Sequence, residues 1–114
     1  MLIDLAGPWE AFTDAMLPIQ LYTVAAHEDG VDIGGIKIRP DYAVGQEPQP
    51  NVIVVPAQEH TPESIAWIKR ATARADITMS VCVGVYLLAA AGLLDGLHAT
   101  THHSAYGDFA RIFP

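Results

Sequence analysis

The stretch Ile77-Thr78-Met79-Ser80-Val81-Cys82-Val83-Gly84-Val85-Tyr86-Leu87-Leu88-Ala89-Ala90-Ala91-Gly92 decides how this chain is read. Its first five residues form a short strand-like run, and from Gly84 an apolar helical segment follows that stops at Gly92. The pattern predicts strand, sharp turn and helix, with Cys82 at the turn. Ser80 and Gly84 give that turn the layout small-x-nucleophile-x-small, a nucleophile elbow with cysteine in place of serine. Small flanking residues let the chain turn tightly, so the side chain between them projects into the crevice at the carboxyl end of the strand. A thiol at the first turn of a helix also meets unpaired backbone N–H groups and the positive end of the helix dipole, and both favour thiolate. The Val83 N–H is placed to donate to an oxyanion. The competing reading makes Cys82 a small buried hydrophobe, as free cysteine often is.

Working outward, Asn51-Val52-Ile53-Val54-Val55 is a β-branched run between Pro50 and Pro56 without polar alternation, which predicts a parallel strand covered on both faces. Thr61-Pro62-Glu63-Ser64 supplies a capping hydroxyl, a proline for the first helical position and a first-turn acid, with Ile65, Ile68 and Ala71 following at helical spacing. Lys69, Arg70 and Arg74 then fall near the negative end of that helix. Beyond the elbow, Leu93-Leu94-Asp95-Gly96 turns into Leu97–Thr101, read as another strand, and Tyr106 to Ile112 reads as a last helix. Near the start, Gly7-Pro8 precedes a short amphipathic helix carrying Trp9, Phe12 and Met16, and Gln20 to His27 reads as a strand. Strands alternating with helices predict an α/β domain with a mainly parallel sheet and helices on both faces.

Length and composition bound what this domain does. The 114 residues suit one domain over 1–114, and 51% hydrophobic with 17% charged residues is the balance of a packed globule, not of a disordered chain. Six Lys+Arg against thirteen Asp+Glu leave a formal charge of −7, which repels phosphate backbones and anionic membrane surfaces. Neither nucleic acid nor membrane is expected as a partner. The single cysteine rules out an internal disulfide and any cysteine cluster for zinc. Without a basic leader or an apolar run of ~20 residues, the expected location is the cytoplasm. His98, His102 and His103 lack a recognisable ligand spacing, and adjacent His102 and His103 on a strand would face opposite ways, so no metal is expected. Either of that pair is a candidate base for Cys82, and one of them a candidate lining of the crevice. The Gly34-Gly35 pair lacks the spacing of a dinucleotide or phosphate loop.

Taken together, Ser80-Val81-Cys82-Val83-Gly84 through Leu94-Asp95-Gly96, Ala99-Thr100-Thr101-His102-His103, Asp4-Leu5-Ala6-Gly7-Pro8-Trp9 and Asn51 through Gln58 resemble the ThiJ/PfpI family. Within it the likeness is to the branch holding isonitrile hydratases and the amidase-like sensor domains of some transcription regulators. The resemblance implies a flavodoxin-like three-layer sandwich, related to class I glutamine amidotransferases and usually homodimeric. It implies no cofactor. It places the family's nucleophile on Cys82 and its acidic partner on Asp4, a carboxyl that would manage the thiol proton. It places the Ala57–Gln58 loop where backbone N–H groups complete an oxyanion hole, with Gly84 and His102 in the substrate-binding region. The implied function is cysteine-dependent hydration or hydrolysis of a small nitrogen-containing electrophile. The alternatives are a ligand-sensing domain without turnover and a redox-responsive stress protein whose cysteine is oxidised. Three departures stand out. Many relatives have two glycines where this chain has Ala57 and Gln58, and hydratase-like relatives carry threonine where it has Val83, which lacks a hydroxyl. The family's first strand and its C-terminal elements also have no counterpart in these 114 residues.

Overall fold

The Thr61 start is satisfied locally in the way its residues dictate. Thr61 Oγ1 accepts from the Ser64 N–H at 3.2 Å and the Thr61 N–H donates to Ser64 Oγ at 2.8 Å, a reciprocal capping box with serine in the acid's place. Helix α2, Pro62–Thr72, grows from it and buries Ile68 and Ala71. The computed structural model describes all 114 residues. They form two compact units, Met1–Pro48 and Gln49–Pro114.

The second unit holds the segment that carries chemistry. Strand β5, Val52–Val55, pairs in parallel with β6, Ile77–Ser80, in the register Val52↔Ile77 to Val55↔Ser80. Parallel pairing requires a crossover, and α2 supplies it. After β6 a single 3₁₀ turn, Cys82–Gly84, leads into α3, Val85–Ala90. Helix α3 has no polar residue apart from the Tyr86 hydroxyl and sinks Val85, Leu87, Leu88 and Ala89 below the surface. Its end is a Schellman motif: Gly92, at φ +73°, donates its N–H to Ala89 O at 2.9 Å and the Leu93 N–H donates to Leu88 O at 3.1 Å. Ile53, Val55, Ile68, Ala71, Leu87, Leu88 and Ala91 form one buried cluster, with Ile65, Trp67, Leu93 and Leu94 packed around it. A second 3₁₀ turn, His103–Ala105, opens α4, Tyr106–Ile112, whose Phe109 ring meets Tyr86 edge-on with centroids 5.0 Å apart.

Three expectations are corrected in this unit. Strand β5 is not covered on both faces, because Ile53 and Val55 point into the core while Val52 remains 43% exposed and Val54 half-buried. The buried cluster gathers on the Ile53 and Val55 face alone, so the other face is only partly covered. Leu97–Thr101 is not a strand: no other segment offers it a hydrogen-bond ladder, and Leu97 is 65% exposed. His102 and His103 therefore do not alternate across a sheet. Their rings lie together, centroids 4.1 Å apart and tilted by 39°.

The first unit begins with α1, Leu2–Asp14, so the helix starts five residues ahead of the Gly7-Pro8 pair, which it contains. Proline in a helix interior removes one backbone bond, and the flanking Leu2, Leu5 and Ala11 are strong enough helix formers for the helix to continue through it. Met16 falls beyond the helix in a left-handed conformation, φ +53°. The Gln20–His27 strand shrinks to β1, Val24–Ala25, paired in parallel with β4, Tyr42–Ala43. Asp41 and Thr23 lock that pair, Asp41 Oδ2 accepting from the Thr23 N–H at 2.8 Å while the Asp41 N–H donates to Thr23 Oγ1 at 3.0 Å. Between them lies a hairpin, β2 (Val31–Ile33) and β3 (Ile36–Ile38), turned by Gly34 and Gly35 at φ +61° and +87°. Both positive angles match the two-residue hairpin turn that favours Gly-Gly. Tyr22 donates from its hydroxyl to Pro48 O at 2.7 Å, and burial, then Glu47 and Tyr42, push its phenol above the usual tyrosine range.

Candidate functional site

Cys82 is where the backbone departs from the ordinary. Its φ of +57° is left-handed, a region that side chains with a Cβ rarely occupy and that costs about 1–2 kcal/mol. Neighbouring contacts hold it there. The Val81 N–H donates to Val55 O at 2.9 Å, continuing the β5–β6 pairing one residue past the strand, and the Gly84 N–H donates back to Val81 O at 2.9 Å. Gly84 itself has no room for a side chain: a Cβ there would overlap Val55 O and stand 2.8 Å from Pro56 O. The small residue read from the sequence as permitting the turn is required by two carbonyls of the neighbouring strand end.

That close approach also brings the end of β5 to the elbow. Ala57 is half-buried at the bend beyond Pro56, and Gln58 is exposed, its Nε2 donating to Pro56 O at 3.5 Å. Neither takes a positive φ. The N–H groups of Cys82 and Val83 precede the first bond of the 3₁₀ turn, which is Gly84 N–H to Val81 O, so both lie ahead of any intrahelical acceptor. The helix behind the thiol is short, six residues of α3 after one 3₁₀ turn, so few peptide dipoles align toward it. Cys82 is half-buried and is the chain's free cysteine.

His102 lies in the same unit and is partly buried. Its Nδ1 accepts from the Ser104 N–H at 3.3 Å and lies 2.8 Å from Ser104 Oγ. A backbone N–H only donates, so in the neutral ring the proton sits on Nε2. That nitrogen is then a donor, suited to holding a substrate atom and not to accepting the proton of Cys82. Thr101, one residue earlier, donates from its hydroxyl to the Cys82 carbonyl at 3.3 Å. Sequence reasoning did not single out Thr101; the available signal was a second hydroxyl residue directly ahead of the histidine pair.

Asp4 belongs to the first unit, where it lies in the first turn of α1. It is 5% exposed, and its Oδ2 accepts no hydrogen bond, the Met1 amino group standing 3.7 Å away. A buried carboxyl oxygen that accepts no hydrogen bond costs about 1–3 kcal/mol, and the Met1 ammonium offsets part of that cost. The same unit has a mostly apolar cleft of ≈ 330 Å³ lined by Leu2, Leu5, Ala6 and Trp9 of α1 together with Ile38 and Arg39. No three His, Cys, Asp or Glu side chains gather in the chain, and no helix is long and apolar enough to cross a membrane.

The chain as a whole is similar to known proteins. A Streptomyces lividans protein, uncharacterized and encoded in the cpoL 5' region, is 32% identical over 99% of this chain and 87% of its own length. The isonitrile hydratase of Pseudomonas putida is 34% identical over 93% of this chain and 49% of its own length. A THiJ/PfpI family protein of Pseudomonas syringae, known from its crystal structure, superposes with a TM-score of 0.79 at 30% identity, covering 96% of this chain and 49% of that one. The chain thus spans about half the length of those two Pseudomonas proteins, and its α/β arrangement is that of the flavodoxin-like fold they represent. With residues 2–111 matching the family as a whole, the chain belongs to the DJ-1/PfpI family.

Proposed function

We propose that the chain works through Cys82 as a nucleophile toward a small nitrogen-containing electrophilic carbon, as in isonitrile hydration. The observation that carries this reading is the left-handed Cys82 between β6 and α3, since strain of this kind persists only where the surroundings over-determine it and gathers at working sites. In the proposed step Cys82 Sγ adds to the carbon of an isonitrile while a proton is delivered to that same carbon, giving a thioimidate. Water then adds to the thioimidate carbon and the thiol leaves with its proton restored, so that isonitrile and water become a formamide. Asp4 is the carboxyl proposed to shuttle the proton, and its burial with an Oδ2 that accepts no hydrogen bond supports a working role. The Val83 N–H and the Nε2–H of His102 are the proposed donors to the developing charge. Likeness to the P. putida hydratase supports the substrate class.

Val83 favours one second reading. With no hydroxyl beside Cys82 to hold a water, the same residues would serve as a ligand-sensing site without turnover. Alkylation by iodoacetamide at pH 7, compared between native protein and protein unfolded in guanidinium, tests the nucleophile directly. The native rate constant is expected to exceed the unfolded one by more than about tenfold. A native thiol slower than the unfolded one would reduce Cys82 to packing. A fast thiol in a protein that binds isonitriles without consuming them would establish the sensing role instead.

A further inference from the structure

The segment from Leu97 to Thr101 has no regular structure, yet it ends in a hydroxyl that reaches back nineteen residues to the nucleophile's own carbonyl. We infer that Thr101 is a positioning residue: its hydrogen bond to Cys82 O holds the left-handed backbone of the nucleophile and fixes the His102-bearing segment against the elbow. The catalytic part of this assignment rests on the function proposed above; the conformational part does not.

Three contacts over-determine the strained residue from the β5 side or from within the turn: Val81 N–H to Val55 O, Gly84 N–H to Val81 O, and the packing of Gly84 against Val55 and Pro56. None of them touches the Cys82 carbonyl. Rotating φ of residue 82 back to a negative value would swing the Cys82 peptide relative to its neighbours, so a bond to its oxygen resists that rotation directly. Thr101 makes that bond at 3.3 Å in a partly buried position, where water competes poorly for the same lone pair. His102 follows immediately, and its ring is held in turn by Ser104. One hydroxyl thus sets both the conformation of the nucleophile and the anchorage of the proposed donor next to it.

Two substitutions separate the hydroxyl from the shape of the side chain. Thr101→Val removes only the hydrogen bond, and Thr101→Ser keeps it. On the native protein, Thr101→Val is expected to slow iodoacetamide alkylation of Cys82 by about three- to tenfold, with the unfolded rate unchanged and Thr101→Ser within about twofold of the parent. A folded Thr101→Val chain that alkylates like the parent would overturn the proposal. A stability cycle gives a readout independent of reactivity. Glycine tolerates a positive φ and has no strain to recover when the bond is lost, whereas Cys82 relaxes, so in a Cys82→Gly background Thr101→Val should shift the unfolding equilibrium by a larger factor than in the parent. Equal factors in the two backgrounds would also overturn it. Should Thr101→Val not fold alone, Thr101→Ser decides: a folded Thr101→Ser chain that alkylates like the parent supports the assignment, and one slowed more than about threefold refutes it. A parent thiol that proves unreactive while the cycle still shows coupling would sink the proposed function and leave the conformational role of Thr101 in place.

Discussion

The backbone at residue 82 costs free energy that a different side chain would recover. Replacing Cys82 with glycine removes the Cβ that makes φ +57° unfavourable, whereas alanine keeps it. Cys82→Gly is therefore expected to be more stable than Cys82→Ala by about 1 kcal/mol in guanidinium unfolding, while both lose any thiol-dependent activity. Equal stabilities would mean that the strain is carried elsewhere. A residue held in strain at the expense of stability is a pattern that gathers at working sites. The sequence made Cys82, Val83 and Gly84 legible as an elbow because residue type and spacing are local information. It did not reveal the backbone angle, or the two carbonyls that exclude a side chain at Gly84, because those depend on where β5 ends. Asp4 was singled out through family likeness alone, and its burial is a tertiary fact, since a lone acid near Gly7-Pro8 carries no sign of it.

At the scale of elements, those that the sequence marked with their own stop and start signals formed as read. Helix α2 is set by the Thr61–Ser64 capping box and α3 by the Gly92 Schellman motif, both closed within six residues of chain. Thr61→Ala is expected to cost about 1 kcal/mol, seen as a lower midpoint at unchanged denaturant slope, with the fold intact. A larger loss would mean that Thr61 does more than cap. Strands were less legible. Asn51–Val55 and Ile77–Val81 pair as expected, but Gln20–His27 keeps only two residues of strand and Leu97–Thr101 none. Ile33-Gly34-Gly35-Ile36 turns a hairpin whose signal, Gly-Gly between alternating aliphatics, lies in the sequence and was weighed only as a phosphate loop. Pro8, read as the start of a helix, lies in the middle of α1, where a single missing backbone bond is outweighed by the helix on either side.

For the molecule as a whole, the buried cluster around Ile68 is the structural support of the elbow, since Ile53 and Val55 of β5 and Leu87 and Leu88 of α3 all belong to it. Ile68 is fully enclosed, and Ile68→Ala is expected to cost about 2–5 kcal/mol, read by Trp67 fluorescence because that ring packs on the same cluster. A loss below about 1 kcal/mol would show that the cluster collapses around the deletion and is less rigid than its packing implies. The sequence by itself determined the α/β class, the helices α2, α3 and α4, the β5 and β6 strands and the place of Cys82 at the turn between β6 and α3. These follow from hydrogen bonds closed within a turn or two and from side-chain periodicity, and both are written in adjacent residues. Only the tertiary structure decided that Leu97–Thr101 stays unpaired, that the second face of β5 is half-exposed, that Cys82 is left-handed and that Thr101 bonds to it. Each of these depends on a partner distant in the chain, and a strand, a buried face or a strained residue exists only if that partner arrives.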